Sequence, residues 1–279
     1  MYLSRIQLTG AFAAEPELAG LLRKNSYGVH QLLWKLFDQG SRHLFREENS
    51  REQLGTRRSL PLYYVLSSQR PKQDSTLFTV ESKPFSPQLQ VGDKLAFRLR
   101  ANPTVSRREE GRKNASRHDV VMDAKYQHLL NACLVEGVLQ ESDVFSADQH
   151  NRKTVKKRFE KKYLVEKLFA RLSEKDPGGL AEAKHRFFRE QEQSVAEAAE
   201  NWLIKRGEHH GYAIDAVQAT GYQWHALMKP GNHRNSGFSA MDYEGVLTVT
   251  NTTDFLNVLA SGLGPSKGFG CGLLMIRRI

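Results

Sequence analysis

Cysteine is scarce in this chain of 279 residues, with Cys133 and Cys271 the only two. They form no C-x-x-C pair and no zinc-binding spacing, so neither a disulfide framework nor a structural metal is expected. No apolar run approaches the length of a membrane span. The opening segment, MYLSRIQLTG, lacks the apolar core and cleavage site of a secretory signal. These absences predict a cytoplasmic, reduced protein that requires no metal or other cofactor. Acidic residues are outnumbered: 31 Asp and Glu stand against 41 Lys and Arg, a formal net charge of +10. A surface of that sign favours polyanions, nucleic acid first and an anionic membrane second. The pair His209–His210, between Gly207 and Gly211, reads as a polar turn rather than a metal site.

A nucleotide-gripping loop is also missing. The nearest stretch is the C-terminal SGLGPSKGFGCGLLMIRRI, in which Gly264, Gly268 and Gly270 surround Lys267. In a P-loop the lysine precedes a helix whose N-terminus receives the phosphate. Here the glycines follow a helical segment, TTDFLNVLAS, and precede a strand-like apolar run. A flexible backbone with exposed N–H groups and a cation suits a polymer backbone at least as well as a nucleotide. A plain turn between helix and strand is the alternative. The aromatic signature of base-stacking RNA sheets is absent too: KGFGCGLL is the nearest match and fails at its later positions. Recognition of an RNA duplex or hairpin through phosphates and shape fits the many arginines better.

Hydropathy patterning supplies the fold. MYLSRIQLTG alternates as a first strand. YGVHQLLWKLFDQGS (27–41) sets Val29, Leu32, Leu33, Leu36 and Phe37 on one face of an amphipathic helix stopped by Gly40. HLFREE (43–48) and LPLYYVLSS (60–68) read as strands, and STLFTVESKPFSPQ as extended chain. LQVGDKLAFRLRANPTVSR (89–107) reads as a turn at Gly92–Asp93 and a long strand. RREEGRKNASRHD is a loop or arm, and VVMDAKYQHLLNACLVEGVL begins a helical region. Residues 151–200 form a charge-dense helical stretch divided at Pro177–Gly178–Gly179. It fits either a solvated helical hairpin or an arm that contacts RNA or protein. After Gly207 come strand, strand, a basic turn at KPGNHRNSG (229–237) and strand, then the helix, the glycine loop and a last strand. The expected fold is α+β, with two tandem ferredoxin-like (RRM-like) domains at residues 1–90 and 91–279. A helical insertion at about 125–205 interrupts the second.

The first predicted helix carries the candidate chemistry. Tyr27 and His30, three residues apart, occupy neighbouring positions on one face. Lys35 reaches that neighbourhood only at the edge of the face. A histidine titrates near neutrality and moves a proton. RNA brings its own nucleophile, the 2′-OH. One base for its proton and one acid for the leaving 5′-oxygen suffice without metal, and a lysine or tyrosine stabilises the charged phosphorane. A lone helical histidine is more often a surface or half-buried residue, and spacing does not decide the matter.

Four blocks together resemble the CasE family of CRISPR-associated endoribonucleases, which process precursor crRNA in type I-E systems. They are SYGVHQLLWKLF (26–37), LAFRLRANPTVS (95–106), DYEGVLTVTN (242–251) and GLGPSKGFGCGLL (262–274), in the family's order. The resemblance implies tandem ferredoxin-like domains and metal-independent cleavage at the 3′ base of a repeat stem-loop. The products would be a 5′-hydroxyl and a 2′,3′-cyclic phosphate. It also implies retention of the product within the Cascade surveillance complex, so the expected partners are CRISPR repeat RNA and other Cascade subunits, with no membrane. The family's helix histidine falls on His30. A tyrosine and a lysine seen in some members fall on Tyr27 and Lys35, and base and acid stay unassigned. By the same resemblance, the loop with Gly264, Lys267, Gly268 and Gly270 lies against the RNA backbone near the scissile bond. A basic hairpin with Lys229, His233 and Arg234 lies against the RNA stem. Arg98, Arg100, Arg107 and Arg108 extend the basic track, and some of that set are expected to face solvent or pair with acids instead. The helical region is longer than the family's usual connection. The rival readings are a member that holds the crRNA hairpin without cutting it, and a generic basic RNA-binding protein.

Overall fold

The first strand, β1 (Tyr2–Leu8), alternates as its sequence predicts, turning Ser4, Ile6 and Leu8 inward. It belongs to a computed structural model that describes residues 1–9, 26–38, 42–48, 61–107, 115–140, 142, 160–227 and 236–279. β1 pairs antiparallel with β3 (Leu62–Ser67) on one side and β4 (Phe78–Pro84) on the other, and β2 (His43–Glu48) adds beyond β3. The helix α1 (Ser26–Trp34) packs Val29, Leu32 and Leu33 onto Ile6, Phe45, Tyr63 and Val65. Each such side chain, fully buried, contributes about 1.5–3 kcal/mol. The helix is shorter than the expected 27–41. Beyond Trp34 the backbone tightens into i→i−3 bonds, Lys35 N–H to Leu32, Leu36 N–H to Leu33 and Phe37 N–H to Trp34. Leu36 and Phe37 thereby stay in the core. Gly40, the expected stop, lies outside the described residues.

The short strands β6 (Thr104–Arg107) and β7 (Ser116–Asp119) pair with each other, and the second large sheet has the order β10-β5-β9-β8, from β5 (Lys94–Ala101), β8 (Tyr212–Leu227), β9 (Ser236–Val249) and β10 (Leu274–Arg278). All its pairings are antiparallel. Each sheet therefore places its own strands in the order fourth, first, third, second, which is the ferredoxin-like arrangement. The fold is α+β with two ferredoxin-like sheets, as the sequence predicts. The chain passes from β3 to β4 without a helix. The two strands expected after Gly207 are one, β8, with irregularities at Asp215 and at Gly221–Tyr222. Gly221, at φ +66, absorbs the second as a bulge rather than ending the strand.

Met1–Thr104 and Leu203–Ile279 form one compact unit, which holds both sheets, and Val105–Trp202 form another. The second is mainly helical. There α2 (Val120–Val135) is capped by Asp119, whose carboxylate accepts from the N–H groups of Val121 at 2.8 Å and Met122 at 3.1 Å. Leu129, Cys133, Leu164, Leu168 and Phe187 form its core with α3 (Lys161–Lys175) and α4 (Leu180–His210). Pro177–Gly178–Gly179 separates α3 from α4, as expected. His209–His210 are not a polar turn; they end α4, and the reversal comes at Gly211 with φ +72. Gly207 lies inside α4, where a Cβ would collide with the Tyr212 carbonyl, so the glycine serves packing rather than a turn. No helix among the described residues is long and apolar enough to cross a membrane.

Candidate functional site

After α5 (Thr252–Ser261) the glycine-rich loop is held at both ends. Leu263 N–H donates to the Gly272 carbonyl at 2.9 Å, and Gly272 N–H donates to Arg100 of β5 at 2.7 Å. In between, Lys267–Phe269 wind into one 3-10 turn. The Asn102 side chain, itself buried, donates to the Ser266 hydroxyl at 2.8 Å and accepts from Ser239 at 3.4 Å. Phe269 stacks on Phe238 of β9, and Phe238 stacks on His225 of β8, with centroids 5.0 and 4.8 Å apart. The loop is thus a fixed platform, tied into the second sheet by its backbone, Asn102 and this aromatic stack.

The same loop meets the first sheet. Gly270, at φ +85, sits where a Cβ would lie 3.2 Å from the Phe45 ring. Leu44 and Leu66 pack with Leu273 in one small core between the sheets. At Gly268 an added Cβ would lie 3.9 Å from Nε2 of His30. His30, projecting from α1, is half buried, and among the described residues its Nδ1 is buried without a hydrogen-bond partner. Its ring lies edge-on to Trp34 and 5.0 Å from the ring of His43. Burial holds its pKa below the usual histidine value, so the neutral form dominates at neutral pH. Burial likewise lowers the Lys267 ammonium. His210 is lowered by burial first, then by the charges of Arg206, His209 and Lys267. Asp254 opposes them. Among the described residues no metal-binding cluster of His, Cys, Asp or Glu occurs.

Helix and loop, nearly 240 residues apart in sequence, therefore bring a neutral imidazole against Gly268, the residue after Lys267. An imidazole so placed can move a proton, and a cation on the loop can neutralise an anion. Tyr27 lies on α1 one turn before His30, its side chain outside the described residues, and Lys35 is exposed just beyond the helix. Lys229, His233, Arg234 and Arg108 also lie outside them. Arg98 pairs with Glu244 at 3.1 Å, and Arg107 with Asp123 at 3.0 Å. Arg100 makes a two-bond fork to Asp242, at 3.0 and 2.8 Å. These three arginines are engaged by acids.

Sequence reasoning missed three residues that organise the surface. Asp242 of β9 holds Arg100 and also Arg46 of β2, at 3.2 Å, and so links the two sheets. Arg46 is 4% exposed and pairs with Glu48 as well. His43, read only as part of a strand, lies under His30. The period-two pattern of HLFREE, which aligns His43 with Phe45, was the available signal.

The chain as a whole has known counterparts. The family model described as CRISPR associated protein matches residues 1–278. The Cascade subunit CasE of Escherichia coli (strain K12) is 22% identical over 99% of this chain and 98% of its own length. This chain belongs to the CasE family of CRISPR associated proteins. Among solved structures, the CRISPR endoribonuclease Cse3 bound to a 19 nt RNA aligns over 99% of this CasE-family chain and 100% of its own. The TM-score is 0.59 and the identity 20%. Thermus thermophilus Cse3, bound to an RNA representing a pre-cleavage complex, covers 99% of this chain and 98% of its own. There the TM-score is 0.57 and the identity 21%. These likenesses place the CasE-family chain in the same fold.

Proposed function

We propose that this chain is a metal-independent endoribonuclease that cuts precursor CRISPR RNA at the base of the repeat stem-loop. It stays bound to the mature crRNA hairpin as a cytoplasmic subunit of Cascade. Relatives named as a Cascade subunit and as an RNA-bound endoribonuclease support the substrate and the assembly. The observation that carries the chemistry is the approach of His30 Nε2 to Gly268 in the glycine loop. The gap between Pro84 and Lys94 supports a division of the two domains near residue 90, with the helices of about 125–205 inserted in the second.

The RNA backbone lies on the glycine loop, where the missing side chain at Gly268 gives it access to His30. Neutral His30 accepts the proton of the 2′-OH at Nε2. The 2′-oxygen forms a bond to the adjacent phosphorus as the bond to the 5′-oxygen breaks, and the departing oxygen takes up a proton. The products are a 2′,3′-cyclic phosphate and a 5′-hydroxyl. Lys267 offsets the charge that builds on the phosphorane. Tyr27 and Lys35 are the candidates for the proton donor. Arg98, Arg100 and Arg107, already paired with acids, shape the surface more than they contact phosphate. Lys229, His233 and Arg234 are proposed for the stem, and Arg108 for the basic track that extends from them.

The test is a labelled cognate repeat hairpin incubated with the protein in EDTA, with mass analysis of the ends. A single cut leaving a cyclic phosphate supports the reading. Tight binding without any cut would make the protein a holding subunit.

A further inference from the structure

His43 takes no part in the chemistry so far, yet its position calls for a reason. It is 7% exposed, and among the described residues both ring nitrogens lack a hydrogen-bond partner. Burying a donor and an acceptor unpaired costs stability. One face of its ring is stacked on Phe37, with centroids 4.9 Å apart and planes at 19°, and Trp34 and Phe45 flank it. An apolar side chain would fill this aromatic pocket without the cost.

The same pocket contains one more buried, unpaired ring nitrogen, Nδ1 of His30. The two imidazoles stand 5.0 Å apart with planes inclined by 30°. Two imidazoles joined by one N–H···N bond have centroids about 5 Å apart, so a small ring rotation brings the orphan nitrogens together. We propose that His43 is a positioning residue for His30, accepting a hydrogen bond from Nδ1–H and so fixing the tautomer that leaves Nε2, beside the glycine loop, unprotonated. The inference rests on the reading that His30 takes the 2′-OH proton.

The consequence is chemical. A neutral imidazole carries its proton on one nitrogen and its lone pair on the other. With the proton on Nε2, His30 could not accept from a 2′-OH. With the proton on Nδ1, held by His43, every molecule is ready. When Nε2 takes the proton, the imidazolium keeps its Nδ1–H bond. His43 stays neutral throughout, because burial and the neighbouring His30 push its own pKa down to about 4. It remains an acceptor, as a positioning group must.

The experiment uses the full chain labelled with 15N-histidine. NMR reads the tautomer of His30 in the wild type, in His43→Phe, which keeps the aromatic packing, and in His43→Gln, which restores an acceptor. Single-turnover cleavage and hairpin affinity are measured alongside. The wild type is expected to hold His30 with its proton on Nδ1. His43→Phe is expected to shift the proton to Nε2 and slow cleavage by roughly 10- to 100-fold with affinity unchanged. His43→Gln is expected to recover part of both. A wild-type His30 protonated on Nε2, or a tautomer unaltered in His43→Phe whatever its rate, overturns the proposal. If His43→Phe fails to fold, the wild-type spectrum and His43→Gln decide. If the wild type binds but never cuts, the endonuclease reading fails, while the tautomer still decides the pairing.

Discussion

The imidazole ring of His30 covers Gly268 at van der Waals distance, its Nε2, Cδ2 and Cε1 lying 3.9, 4.0 and 4.0 Å from where a Cβ would be, so a side chain longer than a methyl group would have to displace the ring. Gly268 is not held in left-handed backbone, so side chains there meet no backbone strain. Gly268→Ala is expected to cut within a few-fold of wild type. Gly268→Leu would cover the imidazole and slow single-turnover cleavage by about 100-fold, the scale of losing access to one general base. Rapid-quench assays on the repeat hairpin, with melting curves for both variants, check this.

Asp242 anchors Arg46, which is almost wholly buried, and Arg100. Removing one partner from a buried ion pair strands a charge and costs about 3 kcal/mol or more. Asp242→Ala is expected to lower the melting temperature by roughly 10 °C. Circular dichroism melts read the effect. An unchanged melt would mean that Glu48 alone holds Arg46.

Acid sensitivity follows from His43. Its folded pKa of about 4 lies below the unfolded value of 6.5, so the unfolded chain binds the extra proton. The contribution is fully present above pH 6.5 and is lost as pH falls toward 4, about 3 kcal/mol in all. His30 shifts in the same direction. Urea melts between pH 7.5 and 4 should show stability falling across that window, and His43→Phe should flatten the fall. Cleavage should also decline on the acid side, as His30 protonates.

Lys267 places one cation on the loop, and the loop's hydrogen bonds do not depend on its ammonium. Lys267→Ala is expected to weaken hairpin binding and to reduce the slope of log affinity against log salt by about one. Filter binding at several salt concentrations measures it. An unchanged slope would remove Lys267 from the phosphate contacts.

Much of the fold could be read locally. HLFREE coincides with β2, and the Pro-Gly-Gly break separates α3 from α4. The misreadings trace to glycines used for packing or bulging. Gly207 lets α4 run on against Tyr212, and Gly221 lets β8 continue through a bulge. For the site, His30 and the glycine loop were each legible, but their meeting was implied only by the family resemblance. It depends on Leu44 and Leu66 packing with Leu273, and on Asp242 joining Arg46 to Arg100, relationships that no local period encodes. His43 was hidden for the opposite reason, because a buried strand residue looks the same whether it packs or positions.

The most direct measurement compares the wild type with His30→Ala on a labelled repeat hairpin in EDTA, following binding and cutting together. The account predicts that both proteins bind the hairpin alike, and that the wild type cuts it while the variant does not. Cutting by His30→Ala at the wild-type rate would contradict it.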